Sequence, residues 1–226
     1  MKKNKIFVAC DTTNISKIIK IIDKTRNPKL KIGYKFGLEF FNSKKGRSFI
    51  SKVKNKIIFI DLKIFDIPNT CVSTIKAIKD LKINYLTIHV SAGFKALREA
   101  KKVCGKTKLI GVTVLTSLDN KGLKEIGYDK SLNKLVEHQA RLAVKANLDA
   151  LVCSPHEVKY VKKIFKKEII TPGIRLDSKK NDQKRVTTPK KAFQNGSDWI
   201  VIGRSITKGN IKKNIQKLID HVGQWA

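Results

Sequence analysis

Three charged residues at close spacing carry the strongest chemical signal in the chain. Asp61, Lys63 and Asp66 read D-x-K-x-x-D directly after the apolar run Ile57-Ile58-Phe59-Ile60. With 12 Asp and 42 Lys among 226 residues, chance supplies about 0.1 such matches. Side chains alternate faces along a strand, so Asp61 and Lys63 at i and i+2 point the same way. Asp66 lies three residues on, where Pro68 begins to stop the ladder, which places it in a loop that can fold back or reach a neighbouring molecule. Two carboxylates and an ammonium this close hold one another ionised and suit an electrostatic site; buried without a purpose they would be costly. A solvated charge cluster after a strand is the plainer alternative. The apolar lead-in, and the Pro68-Asn69-Thr70 that opens the next helix, weigh against it.

The elements that must position these residues follow from hydrophobic patterning. Short apolar segments at residues 5–11, 30–36, 84–90, 109–115, 149–153, 168–171 and 198–202, together with the stretch that opens at Ile57 and runs into Asp61 and Lys63, have the β-branched content and length of buried strands. Segments with helical spacing follow them, at about 15–22, 43–54, 68–80, 96–103, 132–146, 155–165 and 210–222. Eight βα repeats of about 28 residues, with no Gly/Ser/Pro linker between them, predict one α/β domain over residues 1–226, a closed (β/α)8 TIM barrel. A doubly wound open sheet is the alternative, though it needs fewer strands of this kind.

In such barrels the site lies at the carboxyl ends of the strands. The polar residues there are Asp11, Lys35, Asp61, Lys63, His89, Thr116, Ser117, Ser154, Arg175 and Arg204. The longest connection, polar residues 176–185, follows the seventh strand and has the profile of a mobile lid. Gly203-Arg204-Ser205 ends the eighth strand, where a bare backbone and a guanidinium could hold a phosphate.

Composition bounds the rest. The formal net charge is +31 and the pI near 10.1, which raises nucleic acid or an anionic small substrate as a partner. Of the 49 basic residues 42 are Lys, spread along the chain, and aromatics make up only 7%. A nucleic-acid binder concentrates Arg and stacking aromatics, so this charge reads as a Lys-rich surface. No apolar run approaches a membrane span, and Met1-Lys2-Lys3-Asn4-Lys5 leads straight into a strand, so the expectation is a cytoplasmic protein without a membrane. Cys10, Cys71, Cys104 and Cys153 show no C-x-x-C pairing and read as reduced core residues. His89, His138, His156 and His221 have no ligand spacing, so no metal site is expected.

Taken in order, the motifs resemble the orotidine 5'-phosphate decarboxylase family in its bacterial branch. They are Asp11 after the first strand, Lys35-Phe36-Gly37-Leu38-Glu39-Phe40-Phe41, Asp61-Leu62-Lys63 through Asn69-Thr70, Leu115-Thr116-Ser117, Thr171-Pro172-Gly173-Ile174-Arg175, Asn181-Asp182-Gln183, and Gly203-Arg204-Ser205-Ile206-Thr207. The resemblance covers nearly the whole chain. It implies conversion of orotidine 5'-phosphate to UMP in pyrimidine biosynthesis without a cofactor. Lys63 would be the proton donor to C6, in a tetrad Lys35-Asp61-Lys63-Asp66. It further implies a homodimer in which Asp66, Ile67 and Thr70 reach the other subunit's site. Asp11 and Lys35 would hold the ribose, and Thr116 and Ser117 the pyrimidine. Gly203, Arg204 and Gln183 would grip the 5'-phosphate, with Arg175 near the lid base. Tyr34-Lys35-Phe36 departs from the commoner Val-Lys-Val, which changes packing and not the lysine. His89 and His156 have no assigned role and read as structural.

Two rival readings are set apart by residues or simple behaviour. A sister decarboxylase acting on a 3-keto-sugar phosphate with Mg2+ shares D-x-K-x-x-D, but it would need an acid at the end of strand two, where Lys35 stands. A basic nucleic-acid-binding module would bind RNA or DNA with a steep salt dependence and turn over no nucleotide.

Overall fold

Eight short strands, buried on both faces, close on one another when each has a helix to cover its outer side. The computed structural model describes residues 3–176 and 186–223. Its strands are β1 (Asn4–Ala9), β2 (Leu30–Gly37), β3 (Ile57–Ile64), β4 (Tyr85–His89), β5 (Lys108–Val112), β6 (Ala150–Val152), β7 (Glu168–Thr171) and β8 (Trp199–Ile202). They pair in parallel and in sequence order, β8 returning to β1, as a closed barrel. The helices are α1 (Ile15–Lys24), α2 (Leu38–Phe41), α3 (Gly46–Lys52), α4 (Pro68–Ala77), α5 (Gly93–Val103), α6 (Asn120–Glu125), α7 (Leu132–Lys145), α8 (Val158–Ile164), α9 (Pro189–Gln194), α10 (Arg204–Thr207) and α11 (Ile211–Val222). None of the helices described is long and apolar enough to cross a membrane.

The eightfold repeat predicted from patterning is present, and the open sheet is excluded by the β1–β8 pairing. The differences lie in short pieces. The helix expected over 43–54 is shortened to α3, and the short α2 precedes it; between them Ser43 donates from both its amide and its hydroxyl to the Phe40 carbonyl, and its own carbonyl accepts from Gly46. The helices α6, α9 and α10 run only four to six residues, too short for a 3.6-residue period to register. Strand β5 ends at Val112 and not at 115: its pairing with β6 stops at Val112–Val152, where the Thr113 amide and hydroxyl both donate to the Val152 carbonyl.

Aromatic rings fill the middle of the barrel. Phe7 stacks on Trp199 at 4.1 Å between centroids and meets Phe59 and Tyr85 edge-on at 5.0 and 5.2 Å. Gly33 of β2 makes room for them: a Cβ there would lie 2.6 Å from the Phe7 ring. Below this layer Glu168 is a hub inside the barrel. It accepts from Lys108 Nζ at 2.8 Å, Tyr85 Oη at 2.9 Å, Lys5 Nζ at 3.2 Å and Trp199 Nε1 at 3.3 Å.

At the same amino-terminal end a repeated device ties strand pairs together. Asn84, Asp149 and Asp198, each just before an even-numbered strand, accept the backbone N–H of Ile58, Leu109 and Ile169 on the preceding strand. Lys101 of α5 and Lys162 of α8 pair with the two aspartates. Outside the barrel the apolar faces of the helices complete the core, with Ile18 and Ile21 of α1 and Leu218 of α11 buried to 1% exposure or less. All four cysteines are free and buried, and burial pushes the Cys10 thiol up to about 12.

Glu168 yields a stability prediction. Burial by itself would raise its carboxyl, but hydrogen bonds from Lys108 and Tyr85 and the charge of Lys108 outweigh it and lower the value from 4.5 to about 2. The folded value lies below the unfolded one, so the stabilisation is complete above about pH 4.5 and fades as pH falls toward 2. Glu168→Gln is expected to cost about 1–3 kcal/mol at pH 7, read from urea unfolding, and the difference from wild type should shrink at pH 3.

Candidate active site

The opposite, carboxyl-terminal end of the barrel is where charge gathers. Strand β2 delivers Lys35 and strand β3 delivers Asp61 and Lys63, while Asp11 follows β1. Lys35 Nζ lies 3.2 Å from Asp11 Oδ1 and 3.6 Å from Asp61 Oδ2, and Lys63 Nζ lies 2.9 Å from that same Asp61 oxygen. The result is a chain of alternating sign, Asp11–Lys35–Asp61–Lys63. Lys35 and Asp61 side chains are only 12% and 14% exposed, whereas Lys63 is 37% exposed and faces the opening.

The two inner members hold each other charged. Burial alone would raise the Asp61 carboxyl, but the ammonium groups of Lys35 and Lys63, then hydrogen bonds from Lys63 and Thr87, keep it below the usual carboxylate range. Burial likewise opposes the charge on Lys35, and the carboxylates of Asp61 and Asp11 outweigh it and hold its ammonium above the usual lysine range. A cation and an anion fixed this way, with little water between them, form a field that needs no rearrangement when a charged group arrives.

Strand β3 is not regular where it makes this site. Ile60 pairs with Leu86 and Ile64 with Ile88, so four steps along β3 span two along β4. Within this bulge Lys63 has φ +49°, a left-handed conformation that L residues seldom adopt. Among the described residues Asn55, Lys82 and Asn147 also have positive φ, but each lies in the loop just ahead of a strand. Released from the regular ladder, the Lys63 amide donates to Thr87 Oγ1 at 2.8 Å, and that hydroxyl donates to Asp61 Oδ1 at 3.0 Å.

The charged chain forms one wall of a cavity of ≈ 560 Å³. Leu115, Thr116, Arg175, Gly203 and Arg204 contribute to the lining, as do Lys17, Thr207 and Lys208. This size suits a nucleotide-sized ligand. Arg175 is 8% exposed, and its segment is tied back by Arg175 N to Thr187 O at 3.0 Å and Thr187 N to Gly173 O at 3.1 Å. Gln183 and residues 177–185 of the expected lid lie outside the described residues. No group of three or more His, Cys, Asp or Glu side chains among the described residues is placed to hold a metal ion.

Residues 4–217 match the Orotidine 5'-phosphate decarboxylase / HUMPS family. An orotidine 5'-phosphate decarboxylase of Wolbachia sp. subsp. Brugia malayi is 44% identical over 223 residues, which covers 96% of this chain and 97% of that one. One of Prochlorococcus marinus (strain MIT 9215) is 39% identical, covering 91% and 90%. The crystal structure of orotidine 5'-phosphate decarboxylase from Lactobacillus acidophilus superposes with a TM-score of 0.83 at 31% identity, over 97% of this chain and 99% of that one.

The chain belongs to this family.

Against the family's motifs, most of the site residues expected from sequence meet in one place: Asp11, Lys35, Asp61, Lys63, Thr116, Arg175, Gly203 and Arg204 all line the cavity. Ser117 is exposed and outside that lining. Asp66, Ile67 and Thr70 are exposed as well. The Asp66 carboxylate accepts the Ile67 amide at 2.7 Å, and among the described residues of the single chain it joins no ion pair. Within one chain, then, the charged network runs from Asp11 to Lys63 without Asp66. Ser154 is buried and accepts the His156 amide, a structural role. Reading the sequence did not single out Lys17, Lys208 or Thr87, and Thr207 entered only as the end of the Gly203-Arg204-Ser205-Ile206-Thr207 motif. Alternation along β4 places Thr87 between the inward-facing Tyr85 and His89 and was the available signal for it.

His89 supplies a test of the local field. Burial first, and then the nearby Lys63 charge, hold its imidazole below the usual histidine range. Removing the cation in Lys63→Met should move the His89 titration upward while burial keeps it below 6.5, followed by NMR of the imidazole protons. An unmoved or lowered midpoint would show that Lys63 does not act on this ring.

Proposed function

We infer that the protein decarboxylates orotidine 5'-phosphate to UMP, the activity for which its relatives in the family are named. The observation that carries this reading is the chain Asp11–Lys35–Asp61–Lys63 on the wall of a nucleotide-sized cavity. Loss of CO2 from C6 of the pyrimidine leaves an electron pair in the ring plane with no conjugated sink. A fixed cation beside C6 is the available stabilisation. Lys63 has the position for it: held by Asp61 and open to the cavity, its Nζ stabilises the developing charge and then gives a proton to C6. The neutral amine regains its proton from solvent. Lys35 keeps Asp61 ionised, and so keeps Lys63 oriented. A metal-dependent keto-sugar phosphate reaction fits less well, because Lys35 stands where that chemistry needs an acid.

The remaining roles are those that the resemblance to the family implies. Arg204 and the Gly203 amide, at the end of β8, would take the 5'-phosphate with Arg175 beside them, and Gln183, outside the described residues, would join that grip. Asp11 and Lys35 would take the ribose hydroxyls, and Thr116 the pyrimidine edge, with Ser117 joining it from outside the cavity lining. Binding the phosphate far from C6 supplies free energy that the reacting end can use for orientation and desolvation. In this reading no cofactor takes part, and the reaction belongs to cytoplasmic pyrimidine biosynthesis.

The active unit in this reading is a homodimer. Phe65 and Ile67, which flank Asp66, are 65% and 66% exposed, an apolar pair that a second subunit would cover. Asp66, Ile67 and Thr70 would then complete the other subunit's site, Asp66 extending the alternation to Lys35-Asp61-Lys63-Asp66.

Two experiments test this. Purified protein with orotidine 5'-phosphate in EDTA should produce UMP, and Lys63→Ala should lower kcat by at least about 10⁴-fold while UMP still binds; near-normal kcat would remove Lys63 as the acid. Mixed Lys63→Ala and Asp66→Ala subunits should recover about a quarter of wild-type activity, because half the dimers are mixed and each mixed dimer has one intact site. No recovery, in mixtures shown to contain mixed dimers, would count against a shared site.

A further inference from the structure

Lys63 is held by more than its ion pair. Its ammonium is oriented by Asp61 Oδ2 at 2.9 Å, yet a lysine side chain with four rotatable bonds points wherever its backbone and its partner direct it. Both of those are set by one residue of the neighbouring strand. Thr87 is completely buried. Its Oγ1 accepts the Lys63 amide at 2.8 Å, inside the β3 bulge where Lys63 has φ +49°, and donates to Asp61 Oδ1 at 3.0 Å.

The direction of these bonds is fixed. An amide can only donate and an ionised carboxylate can only accept, so the hydroxyl must pass its proton to Asp61 while taking that of the Lys63 amide. The two Asp61 oxygens are then divided, Oδ2 for the lysines and Oδ1 for Thr87.

We propose that Thr87 is the positioning residue of the site, fixing at once the strained backbone of Lys63 and the carboxylate that aims its ammonium. This rests on the reading that Lys63 delivers the proton to C6. A strained left-handed lysine persists only where its surroundings over-determine it, and in β4 the Thr87 hydroxyl is what meets the amide. Without it, Asp61 is free to rotate about its terminal torsion and Lys63 to relax toward the regular strand. Nζ would then move away from the reacting carbon with no loss of the cavity that binds the nucleotide.

The test uses Thr87→Val, nearly isosteric but without the hydroxyl, and Thr87→Ser, which keeps it. In the full chain, Thr87→Val should lower kcat for orotidine 5'-phosphate by about 10- to 100-fold, with the dissociation constant of UMP changed less than about threefold; Thr87→Ser should stay within about threefold of wild type. A second readout does not need turnover. In a 13C NMR titration of the Asp61 carboxyl, assigned with Asp61→Asn, the midpoint should move upward in Thr87→Val and not in Thr87→Ser. The charged and titratable groups facing that carboxyl are Lys35 from β2 and Lys63 from β3, with Asp11 beyond Lys35 and His89 from β4 beside Lys63, and none of them is substituted in either variant. Should Thr87→Val fail to fold, Thr87→Ala is read the same way.

Unchanged kcat and Asp61 titration in Thr87→Val would overturn the proposal. So would a Thr87→Ser as slow as Thr87→Val, because a retained hydroxyl would then fail to preserve turnover. If wild type turns over no orotidine 5'-phosphate while the Asp61 titration still moves, the reaction assignment fails and the positioning role of Thr87 stands.

Discussion

A carboxylate clamped between two ammonium groups sets the terms for everything else at the mouth of this barrel. Burial opposes the charge on Asp61 at 14% exposure and Lys35 with Lys63 outweigh it, while burial opposes the charge on Lys35 and Asp61 with Asp11 outweigh it. Each member is affordable only because the others are present. The consequence is a rigid field rather than a pair of mobile side chains. Reorganisation, which weakens surface charges as catalysts, has been completed by folding.

The barrel makes such a cluster possible by separating two polar ends with an apolar middle. Phe7, Phe59, Tyr85 and Trp199 fill the interior between the Glu168 hub at one end and the Asp61 network at the other. The two clusters have similar chemistry and different purposes. Glu168 satisfies four donors from four strands, and with Asn84, Asp149 and Asp198 it fixes how the strands meet. At the other end Lys63 remains partly exposed and borders an empty volume, which is where substrate chemistry can be placed. Rigidity at the amino-terminal end supports precision at the carboxyl-terminal end.

The bulge in β3 is the point where regular structure gives way to the site. A regular parallel ladder would pair the Lys63 amide with a main-chain carbonyl and hold its residue near extended φ. The structure instead leaves two extra residues in β3, uses the Thr87 hydroxyl as the acceptor and places Lys63 at φ +49°. A few residues on, Asp66 leaves the single-chain network and stands at the surface between the exposed Phe65 and Ile67. The same short stretch thus carries an inward-facing half that is complete and an outward-facing half with exposed apolar flanks.

The sequence by itself determined the barrel, because eight alternations of β-branched runs with amphipathic segments have few other ways to bury both. It also determined which strand ends carry charge, since Asp11, Lys35, Asp61, Lys63, Arg175 and Arg204 stand directly after apolar runs. Short helices such as α6 and α10 were not legible, for they hold less than two turns of any period. Only the tertiary structure decided that Asp61 divides its two oxygens between the lysines and Thr87, that Ser117 stays outside the cavity lining, and that Lys17, Thr207 and Lys208 line it. The physical reason is that, apart from the Asp61–Lys63 pair, these relations join parts of the chain far apart in sequence, Thr87 lying 24 residues from Lys63 and 26 from Asp61. They depend on register, on a bulge and on one positive φ, none of which has a local signature in the chain.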